Sequence, residues 1–131
     1  MAASGGIRAD IDADQNVVIG EDRTINVDVN QSDGSTAQTM TGWALAWYLS
    51  ERPGSTILVT KTTGGSGITI TNGDGTDDRA AITLTDTDTE SGSLADKATL
   101  TYHHELWRTD AGNESRLAYG KFVLHQGAVT T

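Results

Sequence analysis

One apolar stretch near the middle of the chain, residues 43–50, limits the folds open to it. It reads WALAWYLS and holds two of the three tryptophans. In an extended strand successive side chains point to opposite faces, so Leu45, Trp47 and Leu49 would share one face. The residues between them are also apolar, and a strand that is apolar on both faces must be covered on each side. The stretch therefore predicts a central strand of a β-sandwich, with the Trp47 side chain packed between the two sheets.

The flanking segments predict further strands and no convincing helix. Residues 24–29 alternate strictly, with Ile25, Val27 and Val29 facing inward, a period that excludes an amphipathic helix. Shorter alternating segments follow, and 15 glycines against a single proline suit many turns. We predict an all-β protein, an immunoglobulin-like Greek-key β-sandwich of about seven strands, with a small closed β-barrel as the runner-up.

The inward positions of these strands define a predicted core. They are aliphatic or aromatic residues on the alternating side of each segment. The predicted core residues are Val27, Leu45, Trp47, Leu49, Ile70, Ile82, Tyr102, Leu106 and Phe122.

The pattern also predicts how the chain is divided. Residues 1–15 combine small residues with alternating acids and predict a flexible N-terminal arm that orders against a partner. Residues 16–127 form the sandwich, in which the acidic stretch at residues 85–95 crosses from one sheet to the other. Residues 128–131 form a short C-terminal tail.

Charge and composition restrict the partners. Nine basic residues against eighteen acidic ones give a net charge of −9, which disfavours direct binding to nucleic acid or to an anionic membrane. The chain has no cysteine, which excludes disulfides and thiolate chemistry. We also find no signal-peptide pattern and no apolar run long enough to span a bilayer, so we expect synthesis in the cytoplasm without export.

Several short motifs occur in an order found in one group of viral proteins. The motifs are the turn Gly20-Glu21-Asp22, the strand with Ile25, Val27 and Val29, the step Thr41-Gly42-Trp43, the segments at residues 67–71 and 83–89, the strand and turn at residues 102–113, and the ending Gly120-Lys121-Phe122. Together they resemble the small immunoglobulin-like β-sandwich modules of tailed-phage virion proteins, similar to the N-terminal domain of phage baseplate upper proteins and to head decoration domains. The chain departs from that pattern at Arg108, where an aliphatic residue is usual, and at residues 91–97, which lack a Pro-Gly turn.

The resemblance implies a function and a set of partners. It implies a non-enzymatic structural protein of the virion, made in the host cytoplasm: a head decoration or cement protein that docks on the capsid lattice. A tail or baseplate accessory protein, or a carbohydrate-binding adhesion module, is the alternative. Expected partners are the major capsid protein or tail and baseplate proteins, with the chain in multiple copies or as a homo-oligomer. Ile7 and Arg8 in the arm, with Trp107 and Tyr119 on the sandwich, are the predicted partner-binding residues.

Two clusters of polar residues suggest metal sites, and each has a simpler explanation. Asn72, Asp74, Asp77 and Asp78 alternate as calcium ligands do, but the glycine and glutamate that a helix-flanked calcium loop needs are missing. A hairpin turn starting at Asn-Gly explains the same residues. We therefore predict no cofactor at this loop and keep calcium as the alternative.

The second cluster is on the strand predicted at residues 99–108. His103 and Glu105 would share one face about 7 Å apart. Zinc usually takes three or four protein ligands, which this pair does not supply. A cross-strand salt link from Glu105 to Arg116 or Lys121 is the simpler interpretation. We also find no nucleophile beside a base and an orienting carboxylate, so the sequence predicts no enzyme.

Overall fold

Nine strands and one short helix make up the part of the chain that the computed structural model describes, which is residues 11–12, 15–18, 22–31, 35–65, 67–90 and 101–125. The elements are β1 (Ile11–Asp12), β2 (Gln15–Val18), β3 (Arg23–Asp28), β4 (Leu45–Ser50), β5 (Ile57–Thr62), β6 (Ile68–Thr71), β7 (Arg79–Leu84), α1 (Asp86–Glu90), β8 (Thr101–Arg108) and β9 (Ser115–His125).

The strands form two sheets. The larger sheet has the order β1-β9-β8-β4-β5, with β2 also paired to β9, and the smaller has the order β3-β7-β6. β9, β8, β4 and β5 are antiparallel neighbours, as are the three strands of the smaller sheet. Seven strands therefore make two antiparallel sheets of four and three, and we call these the four-stranded and the three-stranded sheet.

Some connections stay within one sheet and others cross to the second sheet. β4-β5, β6-β7 and β8-β9 are antiparallel pairs joined in sequence, whereas the chain changes sheet after β2, β3, β5 and β7. This arrangement is the Greek-key order of an immunoglobulin-like sandwich, so the predicted fold is confirmed. The barrel alternative is wrong, because the described strands form two separate sheets whose ends meet at one isolated bridge, between Thr62 and Gly67.

The core lies between the two sheets and is filled from alternating positions. In β3, Ile25 and Val27 are buried while Asn26 between them is exposed, as strict alternation requires. Trp47 is 0% exposed and belongs, with Ile25 and Val27, to one cluster of buried hydrophobic residues, the core cluster. The other predicted core residues are also buried, except Ile70, which is half-buried and packs against the cluster.

A short helix follows β7, where the sequence analysis predicted a crossover without a helix. α1 is five residues long and starts after Thr85. The Thr85 N–H donates to the Asp88 carboxylate at 2.7 Å, which is one half of a capping box, and Lys61 on β5 pairs with the same carboxylate at 2.8 Å. The crossover itself is as predicted, since the chain passes from the three-stranded to the four-stranded sheet between β7 and β8.

Two strands near the N-terminus add to the sheet in parallel. β1 pairs with Ala118 and Tyr119 on β9, and β2 pairs with the segment from Phe122 to His125. β1 thus lies within the segment that the sequence assigned to the arm. Residues 1–10, which include the predicted partner-binding residues Ile7 and Arg8, lie outside the described residues, as does the tail.

Candidate functional site

The outer faces of the two sheets differ in chemistry. On the three-stranded sheet the outward positions of the edge strands are polar, for example Asn26 on β3 and Thr69 on β6. On the four-stranded sheet they include the exposed large hydrophobics Ile57, 47% exposed, and Tyr119, 39% exposed. We call the second surface the outer face, and it is lined by Tyr48, Ile57, His103, Glu105, Trp107, Arg116, Tyr119 and Lys121.

The centre of the outer face is the Glu105 carboxylate, which binds three donors. His103 Nε2 lies 2.7 Å from Oε2, Trp107 Nε1 donates to Oε1 at 2.7 Å, and Arg116 Nη1 lies 3.2 Å from Oε2. β8 supplies the first two and β9 supplies Arg116. The predicted salt link from Glu105 to Arg116 is therefore present, and His103 and Glu105 share one face of β8 as predicted, with their side chains in contact.

The cluster holds Glu105 in its ionised form. Burial acts to raise the pKa of the Glu105 carboxyl, but hydrogen bonds from His103, Trp107 and Arg116 outweigh it, so the pKa is lowered. A carboxylate with all its donors in place fixes the orientation of the side chains around it. Glu105 thus holds Trp107 and Arg116 in place on the outer face.

Replacing Glu105 with glutamine should make stability less sensitive to acid. Because the folded pKa is lowered, the stabilisation from Glu105 is fully present above its unfolded value of about 4.3 and is lost as the pH falls toward the folded value. We expect Glu105→Gln to cost about 1 kcal/mol at pH 7, with a smaller difference from wild type at pH 3. Urea unfolding at both pH values measures this, with exposed Glu114→Gln as the control. A difference that does not change with pH would contradict the prediction.

Trp107 and Tyr119, both predicted as partner-binding residues, lie close together on the outer face. Trp107 is half-buried and is not a member of the core cluster. The Arg116 guanidinium lies 4.2 Å from the centroid of the Tyr119 ring, and the His103 ring centroid lies 6.4 Å from it. The face therefore presents aromatic surface flanked by cationic and imidazole groups, a composition enriched at protein interfaces.

Arg108, where the resemblance to phage modules led us to expect an aliphatic residue, has a defined place. Its guanidinium carbon lies 3.8 Å from the centroid of the Trp43 ring, and its Nε lies 2.6 Å from Asp110 Oδ2. The other Asp110 oxygen accepts the Ala44 N–H at 2.7 Å. The Arg108 hydrogen bond and the Ala44 N–H lower the pKa of Asp110. The departure is thus compensated by an ion pair and a cation–π contact that join the start of β4 to the turn after β8.

The polar side chains of the predicted hairpin at residues 72–78 form hydrogen bonds within the protein. Asp78 is fully buried and accepts the N–H groups of Gly73 at 2.7 Å and Asp74 at 3.1 Å. Asn72 Oδ1 accepts the Asp77 N–H at 2.8 Å, and the Asp77 carboxylate accepts the Thr41 hydroxyl at 2.6 Å. These four calcium candidates therefore lie in a turn in which two carboxylates and one amide oxygen are already hydrogen-bonded. In the ranges that the structure describes, no group of three or more acidic or histidine side chains is placed to hold a metal ion.

A histidine that the sequence assigned to the inner face makes an unpredicted contact. His104 is 1% exposed, and its Nδ1 accepts the Trp47 indole N–H at 2.8 Å. The two rings, with Phe122, form a set whose centroids are 5.8 to 6.0 Å apart. His104 therefore satisfies the one polar atom of the central tryptophan and has a structural role in the core.

Comparisons with known proteins give matches among solved structures alone. No protein-family model and no curated protein matches the chain. Among solved structures, the chain is similar to one in the crystal structure of the complex of titin M10 with an obscurin-like 1 Ig domain, with 12% identity, a TM-score of 0.43, and coverage of 94% of this chain and 95% of the other. It is also similar to a DUF4784 family protein from Bacteroides caccae, with 15% identity and a TM-score of 0.40. That match covers 95% of this chain but 24% of the other protein.

Both TM-scores are low, so the class is assigned from the strand order. The chain is an immunoglobulin-like β-sandwich, and Ile57 and Tyr119 are exposed on the outer face of its four-stranded sheet. No helix within the described ranges is long and apolar enough to cross a membrane.

Proposed function

We propose that the chain is a non-enzymatic structural protein of a tailed-phage virion, a head decoration protein that docks on the major capsid protein lattice through its outer face. The observation that carries the docking role is the difference between the two sheets: Tyr119 and Ile57 are exposed on one, where the other presents polar residues. The phage assignment is supported by the motif order that resembles virion modules.

The outer face has the makeup of a docking surface. Aromatic side chains and arginine are enriched at interfaces and carry most of the binding energy. Trp107, Arg116 and Tyr119 meet this description, and Glu105 fixes two of them. Preorganised side chains lose less conformational entropy when a partner binds, which favours affinity.

The proposal also gives the predicted arm a share in docking. Ile11 pairs with Ala118, which is next to Tyr119 on β9. β1 therefore supports a role for the residues before it beside the outer face. The sandwich would contact one capsid subunit, and the arm, with Ile7 and Arg8, would reach the next. A small protein that contacts two subunits can cement a lattice, in multiple copies set by its symmetry.

Rebinding to particles tests the proposal. Purified chain is added to particles of a phage from which the gene for the chain has been deleted. Bound copies are then counted by quantitative mass spectrometry. We expect saturable binding, reduced at least tenfold by Trp107→Ala with Tyr119→Ala and unchanged by Asn26→Ala on the three-stranded sheet. Circular dichroism melting shows whether the double variant is folded, and Tyr119→Ser serves if it is not.

The location of the bound copies separates the head from the tail. Gold-labelled chain on the capsid supports decoration, whereas label on the tail or baseplate overturns it in favour of the accessory role. Particles that naturally lack the chain, or full rebinding of the double variant and of a chain without residues 1–15, would overturn the docking proposal.

A further inference from the structure

Strand β3 is an edge strand with a regular backbone. In the described part of the chain it pairs only with β7, without a register shift from Arg23 opposite Leu84 to Asp28 opposite Arg79. A regular edge strand presents backbone N–H and C=O groups along its outer side, where an extended strand of a partner can bind them. We call the side of β3 that faces away from β7 the open edge.

One hydrogen bond identifies the backbone groups at the open edge. In an antiparallel pair, residues that hydrogen-bond to the neighbouring strand alternate with residues whose N–H and C=O point away from it. The Val29 N–H, one residue beyond β3, donates to the Asp78 carbonyl at 2.9 Å. By alternation from Val29, the even-numbered residues of β3 direct their backbone groups to the open edge. These residues are Thr24, Asn26 and Asp28.

The other described edges carry features that oppose pairing with a second sheet. β5 has a register shift against β4, Lys61 pairs with Asp88 at 2.8 Å, and Thr62 is bridged to Gly67. β6 and β2 are four residues long, and β1 is two. Irregular pairing, lysine and short length are ways in which natural edge strands avoid association. β3 is six residues long, has no lysine, proline or register shift, and carries its two charged residues at its ends.

The sequence of β3 is complementary to itself in one antiparallel register. When Asn26 lies opposite the partner's Asn26, the two side-chain amides can hydrogen-bond to each other. Thr24 then lies opposite the partner's Asp28, and its hydroxyl can donate to that carboxylate. Asp28 is also bound by Arg79 at 2.6 Å, so its charge is balanced within each copy.

The neighbouring registers fit less well. Because only even-numbered residues offer backbone groups at the open edge, the register can change only in steps of two residues. One step places Asp22 opposite the partner's Asp28, where two carboxylates repel each other. The opposite step leaves only the last part of β3 paired. The register centred on Asn26 therefore pairs most of the strand and opposes no like charges.

We propose that two copies of the chain associate through β3 about a twofold axis at Asn26, which joins their three-stranded sheets into one antiparallel sheet. Such a contact is isologous, because the same residues contribute from both copies. The axis is perpendicular to the shared sheet, so both four-stranded sheets lie on the same side of it. The two outer faces then point in similar directions, and one dimer can occupy two sites on a lattice. The pairing itself does not rest on the docking role.

The net charge of the chain gives the association a defined salt dependence. Each copy carries a net charge of −9, so two copies repel each other at low ionic strength. Added salt screens this repulsion and has little effect on the backbone hydrogen bonds of the shared sheet. We expect the dimer to become several-fold tighter between about 20 and 300 mM sodium chloride. A contact between oppositely charged surfaces would instead be weakened.

Sedimentation velocity of the full chain tests the contact, and we expect a monomer–dimer equilibrium in the micromolar range. Asn26→Lys should weaken the dimer at least tenfold, because it places two like charges at the axis. Thr69→Lys, with the same charge change at an exposed position on β6, should leave it unchanged. Asn26→Pro removes an N–H at the open edge and should also weaken the dimer, whereas Asn26→Ala keeps that N–H and should have a smaller effect. Circular dichroism melting shows whether each variant is folded, and Asn26→Lys decides if Asn26→Pro is not.

A covalent cross-link tests the register. The chain has no cysteine, so oxidation of Asn26→Cys should join two copies, whereas Thr69→Cys should stay monomeric. A chain that is monomeric at about 100 μM, a dimer unchanged by Asn26→Lys, or equal cross-linking of both cysteine variants would overturn the proposal. A dimer lost in Tyr119→Ala but kept in Asn26→Lys would assign the contact to the outer face and would also overturn it. None of these results depends on attachment to particles, so the pairing and the docking role can fail separately.

Discussion

Replacing Trp47 with alanine is expected to lower the free energy of unfolding by roughly 3 to 5 kcal/mol, the largest loss from any single change considered for this chain. Trp47 is fully buried between the sheets, and its ring packs against His104 and Phe122. The truncation removes a large apolar volume and also leaves His104 Nδ1 without the indole N–H. A domain of this size has a total stability of about 5 to 15 kcal/mol, so the variant would be close to unfolding at 37 °C.

Two further variants show which part of the loss is packing. Trp47→Phe keeps an aromatic ring and removes the indole N–H, so its cost should be clearly smaller than that of alanine. Trp107→Ala, at the half-buried tryptophan of the outer face, should also cost less, because the side chain is not part of the core cluster. Urea unfolding monitored by circular dichroism gives all three values. A Trp107→Ala loss equal to that of Trp47→Ala would contradict the assignment of Trp47 as the central core residue.

The second large effect is expected at Asp78, where alanine should cost about 3 kcal/mol at pH 7. The carboxylate is fully buried and accepts the backbone N–H groups of Gly73 and Asp74. Without it, both donors are left in the hairpin with no partner. The same turn supports the loop before β4, because the Asp77 and Asp78 carbonyls accept the Met40 and Val29 N–H groups.

The cost at Asp78 should depend on pH in a defined direction. Burial acts to raise the pKa of Asp78, but the backbone N–H groups of Gly73, Gly75 and Asp74 outweigh it, so the folded pKa is lowered. The stabilisation is complete above the unfolded value of about 3.9 and is lost as the pH falls toward the folded value. Unfolding curves of wild type and Asp78→Ala should converge at low pH. Exposed Asp74→Ala is the matched control, and an equal loss there would contradict the account.

The sequence predicted the parts of the fold that depend on alternation. Strict period-two patterning identified the inward faces of β3 and β7, because each inward residue there is apolar and its neighbours are mostly polar. The central strand β4 was predicted because the residues around Trp47 are apolar on both faces. Thr85 and Asp88 also have the spacing of a capping box, which indicates the start of a helix. The acidic composition of the segment led us instead to predict a crossover without one.

The features that were missed depend on residues far apart in the chain. Arg108 looked like a departure from a pattern, because the ring that it contacts, Trp43, lies far away in the sequence, just before β4. The indole of Trp47 and the imidazole of His104 meet only once β4 and β8 are paired. Local patterns determine which way a side chain faces, whereas the strand order determines what it meets.

The parallel pairing of β2 with β9 has a mechanical consequence. Force applied to the two ends of the domain pulls β2 toward its own N-terminus and β9 toward its C-terminus, in opposite directions along neighbouring strands. The hydrogen bonds from Gln15–Phe122 to Val18–His125 then lie across the pull and must break together, as in shear, instead of one at a time. A domain anchored at one end and loaded at the other would therefore resist extension until this strand pair separates.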